Sequence, residues 1–339
     1  MNPADRSRQL RWRGRLQLSP STYRRVCLFA VWALIFIIVT GAAVRLTGSG
    51  LGCKDWPTCS NNRVVAPWQY HDMIEFGNRV VTGLVSIAIM AAALASLFRR
   101  PRRKDLSLLA WGLVLGLVGE IILGAELVLN HLAPQLVMAH FMYSLVLLCD
   151  AVVLYHRAGF QDGAVDERGR AQPACPAVPV VPTELRVMGG LMVVAVSLVI
   201  FLGTVVTSTG PHGGDPTAPR FQYSLHDVAR LHSSAVILFL GLTVVTLWRM
   251  MRAGAPHDVI RRGELLLAVL IVQGSVGYLQ YFTGVPAWLV QIHVTLAALL
   301  WLVTLRFVLG LTIRPGIQRL PPSAEAVRAA GTDAMPATA

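Results

Sequence analysis

Three histidines lie inside long apolar stretches of the sequence, where ionisable side chains are rare. His140, His232 and His293 fall in the fourth, sixth and eighth of these stretches, each a short way in from the same end. Such residues are costly in a membrane and are functional candidates by default. His232 and His293 belong to the same half of the chain, and two imidazoles at equal depth on facing helices are what bis-His haem ligation requires. Each histidine taken alone also fits a buried side chain that is hydrogen-bonded to a neighbouring helix.

The first half of the chain offers one clear ligand instead of two. An alignment of the halves that matches Glu75 to Ala229 places Asn78 at the position of His232, so His140 is expected to face an asparagine. His71 lies two turns before Asn78 on the same helix face, roughly 10 Å further out. It either ligates a haem that is shifted outward or lies among the lipid headgroups. One strong axial ligand with a weak second position is typical of a substrate site rather than of an electron-transfer site.

Glu75 is a carboxylate at hydrocarbon depth, and the repeat has Ala229 at the equivalent position. A buried carboxylate in only one of two repeats suggests a proton acceptor or a stabiliser of developing positive charge. The alternative is an ion pair with Arg79, one turn further along the helix, and the two roles can coexist. Glu120 and Glu126 in the third stretch are weaker candidates.

Cys53 and Cys59 flank the segment KDWPT in the first loop. That loop is expected on the outer, oxidising side of the membrane, which favours a disulfide over a metal pair. The close spacing of the two cysteines, with no other Cys or His nearby in sequence, also argues against zinc. Arg45, at the outer end of the first stretch, pairs either with a haem propionate or with lipid headgroups. No chemistry is assigned to the isolated Cys27, Cys149 and Cys175.

These residues must be positioned by membrane-spanning helices. The 339-residue chain is 54% apolar and 14% charged, which excludes a soluble globular enzyme, a disordered protein and a fibre. A spanning helix needs about 20 mostly apolar residues, and eight stretches qualify. They are 26–44, 73–98, 106–129, 134–155, 187–208, 227–250, 264–282 and 288–311. The predicted fold class is therefore an all-α polytopic membrane protein with eight transmembrane helices.

Lys and Arg in the connections predict the orientation of the chain. The tail 1–25 and the second and sixth connections are rich in arginine, whereas the odd connections hold few basic residues or none. Both termini are therefore expected in the cytoplasm, in a multi-pass protein of the cell membrane. The net charge of +12 then reflects membrane anchoring and not nucleic-acid binding. Residues 157–186 are expected to form a cytoplasmic linker between the halves 26–156 and 187–311, and the tail 312–339 is expected to be disordered.

The two halves echo each other in the same order. The spacing from Gly124 to His140 is the same as the spacing from Gly277 to His293. The segment TGAAVRLTGSG echoes LGTVVTSTGPHGG, and HDMIEFGNR echoes HDVARLHSS. A repeat of four spans preserves orientation, so the halves are predicted to be parallel repeats about an axis along the membrane normal.

The segment TGAAVRLTGSGLGCKDWPTC ending at Cys59, the segment IEFGNR at 74–79 and the histidines of spans four, six and eight together resemble haem A synthases. The resemblance covers about residues 26–311. It implies an eight-helix membrane protein built from two pseudo-symmetric four-helix bundles. It also implies an oxidoreductase that converts the C8 methyl of haem O to the formyl group of haem A, for terminal oxidases, by two successive hydroxylations and loss of water.

The resemblance implies a role for each candidate residue. The second bundle would hold a bis-His b-type haem on His232 and His293. The first bundle would bind haem O through His140, with Glu75 as the catalytic carboxylate. Further substrate-site candidates are Asn78, His71 and Arg79. The loop disulfide of many family members maps onto Cys53 and Cys59.

This sequence departs from the family pattern at two points. The histidine that usually follows the glutamate, one turn later, is Asn78, and the second outer cysteine pair is replaced by TGPHGGD. The expected partners are a haem O synthase, the terminal oxidase assembly and an electron acceptor of unspecified type, with a second copy of the chain as a further candidate. The alternatives are a bis-His b-type haem quinone oxidoreductase, a membrane haem-handling assembly factor and a transporter.

Overall fold

A computed structural model of the chain describes residues 17–60, 63–174 and 176–313. Eight long apolar helices make up most of this region, and each is long enough to cross a membrane, which confirms the expected all-α, eight-span fold. In chain order the helices are α1 (Pro20–Leu46), α2 (Tyr70–Phe98), α3 (Lys104–Leu129), α4 (Pro134–Ala158), α5 (Thr183–Thr209), α6 (Leu225–Arg252), α7 (His257–Phe282) and α8 (Ala287–Leu309).

Several helices begin a few residues before the apolar stretch that predicted them. The Ser19 hydroxyl caps α1 by accepting a hydrogen bond from the Thr22 N–H at 3.2 Å, so α1 begins at Pro20 rather than at 26. Ser224 caps α6 in the same way. Hydropathy alone misses these starts because caps and first turns are polar.

Two short antiparallel strand pairs accompany the helices. Strand β1 (Asp162–Val165) pairs with β2 (Ala171–Pro173), and β3 (Val178–Pro179) pairs with β4 (Thr312–Ile313). The linker between the halves is therefore partly ordered, and 312–313 are paired with it instead of starting a disordered tail. The rest of that tail, residues 314–339, lies outside the described residues, as do residues 1–16 of the basic tail and Cys175.

The helices form two rings of four. In each half every helix packs on its neighbours in sequence, and the first packs on the fourth. The halves meet where α4 packs on α5 and α8, and where α8 packs on α1. Two polar side chains bridge this seam: Trp301 Nε1 donates to the Leu145 carbonyl oxygen and Gln291 Nε2 to that of Val39, each at 3.0 Å. The arrangement confirms the pseudo-symmetric pair of bundles.

The turns that precede α4 and α8 share one unusual backbone shape. Leu132 and Val285 each lie directly before the N-cap residue of the following helix, and both have a φ of 58°. The Leu132 N–H donates to the Leu127 carbonyl oxygen at 2.9 Å, and the Val285 N–H donates to that of Gln280 at 2.7 Å. The repeat is thus preserved at the level of a turn, although the residue types in it differ.

The loops after α1 and α5 lie together at one end of the molecule, called here the disulfide side. Arg45 donates from Nε to the His212 carbonyl oxygen and from Nη2 to the Thr207 carbonyl oxygen, both at 2.8 Å. The Gly50 N–H donates to the Gly214 carbonyl oxygen at 2.7 Å. Arg45 therefore joins the two halves through backbone carbonyl oxygens, and its pairing with a haem propionate or with lipid headgroups stays a prediction.

Two arginines at the opposite end, the linker side, are fully buried. Arg99 Nη2 contacts both carboxylate oxygens of Asp162 in the linker at 2.8 and 2.9 Å. Arg103 Nη2 contacts Asp105 of α3 at 2.7 Å, and its Nη1 donates to the linker carbonyl oxygen of Phe160 at 3.3 Å. A buried charge is tolerated only when it is paired and hydrogen-bonded. Two of the basic residues that predict the orientation of the chain thus also attach the linker to α2 and α3.

Arg45→Met should destabilise the contact between the halves. It removes both donors and leaves the carbonyl oxygens of Thr207 and His212 without them, at a cost of about 1–3 kcal/mol per unsatisfied buried group. The measurement is the unfolding midpoint of the purified protein in detergent. Arg63→Met, in the same loop region but exposed, is the control, and equal midpoints for the two variants would contradict this role of Arg45 at the junction.

Candidate functional site

His232 on α6 is held by the neighbouring helix α5. Its Nδ1 lies 3.0 Å from the Val199 carbonyl oxygen, so Nδ1 carries the proton and Nε2 keeps its lone pair. A Cβ added at Gly203 of α5 would lie 3.2 Å from His232 Cε1. Only glycine at this position lets the ring lie directly against the α5 backbone.

His293 on α8 is held by α7 in a related way. Gln273 Nε2 donates to the His293 carbonyl oxygen at 3.0 Å and lies 3.2 Å from the ring Nε2. The Nδ1 of His293 is buried and has no hydrogen-bond partner among the described residues. A Cβ at Gly277 would lie 3.0 Å from His293 Cε1. His293 and His232 come from helices at opposite corners of the second ring.

His140 on α4 is the counterpart of His293 in the first half. Gly124 of α3 backs its ring, with a hypothetical Cβ 3.6 Å from Cε1. Glu120 of α3 places Oε1 3.5 Å from His140 Nδ1, and the same oxygen accepts a hydrogen bond from the Ser144 hydroxyl. Glu120, a weaker candidate by its sequence position, therefore lies next to the histidine in the structure.

Asn78 on α2 occupies the position in the first half that His232 occupies in the second. Asn78 Oδ1 lies 2.8 Å from the Thr40 hydroxyl, which is also 3.2 Å from the Ile37 carbonyl oxygen. When Gly41 is aligned with Gly203, Ile37 corresponds to Val199, whose carbonyl oxygen lies against His232. A Cβ at Gly41, the counterpart of Gly203, would meet no atom of the described residues within 4 Å. The small asparagine leaves room beside α1 where the second half is filled by an imidazole.

Glu75 is buried one turn from Asn78 and is tied to the disulfide loop. The Cys53 N–H donates to Oε2 at 2.7 Å, and Arg79 Nη2 contacts Oε1 at 2.7 Å. Arg79 also donates to the carbonyl oxygens of Cys53, Asp55 and Thr58. The expected ion pair is therefore present, and it is part of a larger network that holds the carboxylate in place.

The two cysteines of this loop form a disulfide, Cys53–Cys59, and both are buried. The bond closes the short loop whose carbonyl oxygens receive Arg79. A role for Cys53 and Cys59 as ligands of a metal ion is thereby excluded in this state.

Two other candidates lie further from the buried centre. His71 is exposed, and its Nδ1 pairs with the Ser49 hydroxyl at 2.9 Å. Glu126 is exposed and accepts a hydrogen bond from Asn130 Nδ2 at 3.0 Å. Their partners lie in the loops at the edge of the first bundle, and no hydrogen bond or ion pair joins either residue to His140 in the described part of the chain.

The donor set fits haem. An axial haem ligand must present a ring nitrogen with an unused lone pair, and His232 Nε2 meets this condition because only Nδ1 of that ring has a hydrogen-bond partner among the described residues. Helices at opposite corners of a ring of four leave a central gap that a flat group can enter. The ligand roles of His140, His232 and His293 and the substrate-site roles of Asn78, His71 and Arg79 stay predictions.

Sequence reasoning missed several partners of the site residues. A signal for one pair was present, because Glu120 precedes His140 by the same interval as Gln273 precedes His293. Thr40 and Ser144 had no such signal, since a hydroxyl in an apolar helix usually bonds to its own backbone. Ser49 had none either, because it lies in the loop after α1.

Comparison with known proteins places these features in a family. Residues 24–305 match the family model described as cytochrome oxidase assembly protein. A protein of Symbiobacterium thermophilum named "Heme A synthase" is 30% identical over 278 residues, covering 77% of this chain and 88% of the relative. Proteins of the same name from Lysinibacillus sphaericus (25% identical, 79% and 87% covered) and Listeria monocytogenes (27%, 80% and 91%) are also similar.

Replacing glycine by alanine should have opposite effects at Gly203, which lies behind the His232 ring, and at its counterpart Gly41. Gly203→Ala puts a methyl group 3.2 Å from His232 Cε1 and should cost about 1–3 kcal/mol of stability. Gly41→Ala enters open space and should be neutral or gain up to about 1 kcal/mol. Unfolding midpoints of the two variants, measured without added haem in one detergent, test this. Equal shifts in the same direction would mean that the glycines do not set the ring position.

Proposed function

Because the chain belongs to the family of cytochrome oxidase assembly proteins, we propose that it is a membrane oxidoreductase with haem A synthase activity. Its substrate is haem O, whose C8 methyl group it oxidises to the formyl group of haem A. The "Heme A synthase" relatives, which align with most of the chain, support this activity.

One observation carries the assignment to this chain's own residues. Two bundles with the same helix arrangement differ in the chemistry at their centres. The second has His232 and His293, whereas the first has His140, Asn78 and a buried carboxylate that the repeat replaces with Ala229. A protein that only transferred electrons between two equivalent haems would not need this difference.

The second bundle is the electron-transfer half in this proposal. His232 and His293 would hold a b-type haem, which would supply one-electron transfer away from the substrate half. Val199 and Gln273 orient the two rings from the neighbouring helices. Gly203 and Gly277 let the rings lie close to those helices.

The first bundle binds the substrate. His140 holds the iron of haem O from one side, while Asn78 on the other side offers a weaker contact and more room. Glu75 lies on the same helix as Asn78, and its carboxylate acts on the reacting edge of the substrate as a proton acceptor or as fixed negative charge. The Cys53 N–H and Arg79 hold this carboxylate in one orientation.

The membrane setting follows the charge distribution. We place the protein in the cell membrane with both termini in the cytoplasm, so that the disulfide side faces outward, where disulfides persist. A haem O synthase and the assembling terminal oxidase are the partners that supply the substrate and consume the product.

Glu75→Ala should abolish haem A formation while the second bundle keeps its haem. Loss of a positioned proton acceptor or charge lowers such rates by about 10²-fold or more. The haems of cells that also make haem O are extracted with acid and identified by mass. Glu75→Gln keeps the shape and removes the charge, so it should fail as well. Wild-type haem A yield from a well-expressed Glu75→Ala protein would overturn the catalytic role.

Arg79→Ala separates catalysis from folding at this site. If the ion pair with Glu75 is purely structural, Arg79→Ala and Glu75→Ala should destabilise the protein equally and both should lose the b-type haem. The proposal instead requires that Glu75→Ala retain the b-type spectrum.

His232→Ala or His293→Ala should remove the low-spin b-type spectrum, because loss of one axial imidazole opens the iron to other ligands. Membrane insertion should be unaffected, since the bundle around the site is mostly apolar. The reduced-minus-oxidised optical spectrum of each purified variant measures this. An unchanged low-spin spectrum in both variants would contradict the ligand assignment.

A further inference from the structure

Glu120 and Gln273 occupy the same place in the two repeats, next to the two equivalent histidines. Each lies on the helix preceding its histidine, at the same distance along the sequence from it. Glu120 places an oxygen 3.5 Å from His140 Nδ1, whereas Gln273 presents its Nε2 to His293 at 3.2 Å. The first histidine thus faces a hydrogen-bond acceptor, and the second faces a donor.

The carboxylate in the first half has its own local support. Ser144, one turn after His140, donates to Glu120 Oε1 and also lies 3.0 Å from the His140 carbonyl oxygen. The repeat has Ala297 at the position of Ser144. Glu120 Oε2 is buried and has no hydrogen-bond partner among the described residues. The Glu–Ser pair is therefore specific to the substrate half.

The fold does not require an acid at this position. Gln273 fills it in the second half with a side chain of nearly the same shape, and the helices around it pack in the same way. A carboxylate inside a membrane-spanning bundle is unfavourable unless it is paired or used. Glu120 lies 3.5 Å from His140 Nδ1, so its charge can act on the histidine.

We propose that Glu120 is a positioning residue for the substrate: it accepts the Nδ1–H of His140 and thereby directs Nε2 towards the iron of haem O. This inference rests on the proposed function. Histidines that bind metals usually donate their other N–H to a carboxylate or carbonyl, which fixes the tautomer and makes the ring a stronger ligand. The Nδ1 of His140 is buried without a hydrogen-bond partner among the described residues. The Glu120 oxygen that Ser144 holds lies 3.5 Å from it, so a small approach of the two side chains forms the bond.

The difference between Glu120 and Gln273 matters because the first half must hold the iron of haem O firmly from one face. With Asn78 opposite, His140 is the one strong protein ligand that the described part of the first half offers, so its orientation and basicity decide how tightly substrate is held. The second half has two imidazoles, and an amide next to one of them is sufficient.

The test is haem O binding by the full-length protein in detergent, followed optically, for Glu120→Gln and the control Glu126→Gln. Both variants change an acid to an amide on α3, but Glu126 is exposed and does not contact His140. Glu120→Gln should weaken haem O binding about 10–100-fold, while Glu126→Gln should bind as the wild type does. The iron–histidine stretching frequency of the reduced substrate complex, from resonance Raman spectra, should fall in Glu120→Gln, since the ring loses its acceptor.

Two further variants keep the inference testable if Glu120→Gln folds poorly. Glu120→Asp retains the acceptor and should restore part of the affinity, and Ser144→Ala should give a smaller loss than Glu120→Gln. Wild-type affinity together with an unchanged iron–histidine frequency in Glu120→Gln would overturn the inference, as would Glu120→Asp behaving no better than Glu120→Gln. If the wild-type protein shows no haem O binding that depends on His140, the proposed function itself fails.

Discussion

A polar group in hydrocarbon has no water to bond with, so the protein must supply its partner or use the group for binding. Most hydroxyls in these helices solve the problem locally. Thr243, Thr246 and Thr304, for example, each donate to a carbonyl oxygen one turn earlier in the same helix. The imidazoles cannot do so, and each needs a second helix beside it. This requirement explains why His140, His232 and His293 each lie against a glycine and a polar group of one neighbouring helix.

The duplicated architecture makes the differences between the halves informative. The same helix crossing supports Asn78 or His232, Glu120 or Gln273, and Ser144 or Ala297. In each pair the second half shows what the fold tolerates, so the residue in the first half reflects what the site does. The halves have diverged in their central polar residues and have kept the glycines and turns around them.

The sequence predicts the spans, the repeat and the three histidines because each depends on a local pattern or a fixed spacing. Burial of Glu75 and its pairing with Arg79 also follow from helical spacing, and the disulfide follows from the compartment expected for the loop. The contacts that need two distant segments do not follow. Neither Arg45 reaching the carbonyls of Thr207 and His212 nor β4 pairing with the linker leaves a sequence signal, because backbone carbonyls and short strands have no characteristic residue type.

Contacts between two helices also decide which candidate residues matter most. Glu120 ranks low in sequence because its interval to His140, although Gln273 and His293 share it, does not by itself show that the two side chains meet. Its importance becomes visible only when α3 and α4 are packed and Ser144 closes the contact.

The junction formed by Arg45 has a consequence for the order in which the molecule is assembled. α1 is made first, but the carbonyl acceptors of Arg45 belong to a segment that follows four more membrane crossings, and the packing partner α8 is made last. The loop closed by Cys53 and Cys59, in contrast, needs only residues that are close together in the chain. The disulfide and the Arg79 network can therefore form while the chain is still being synthesised. The two rings of helices, in contrast, complete their packing only after α8 has been translated.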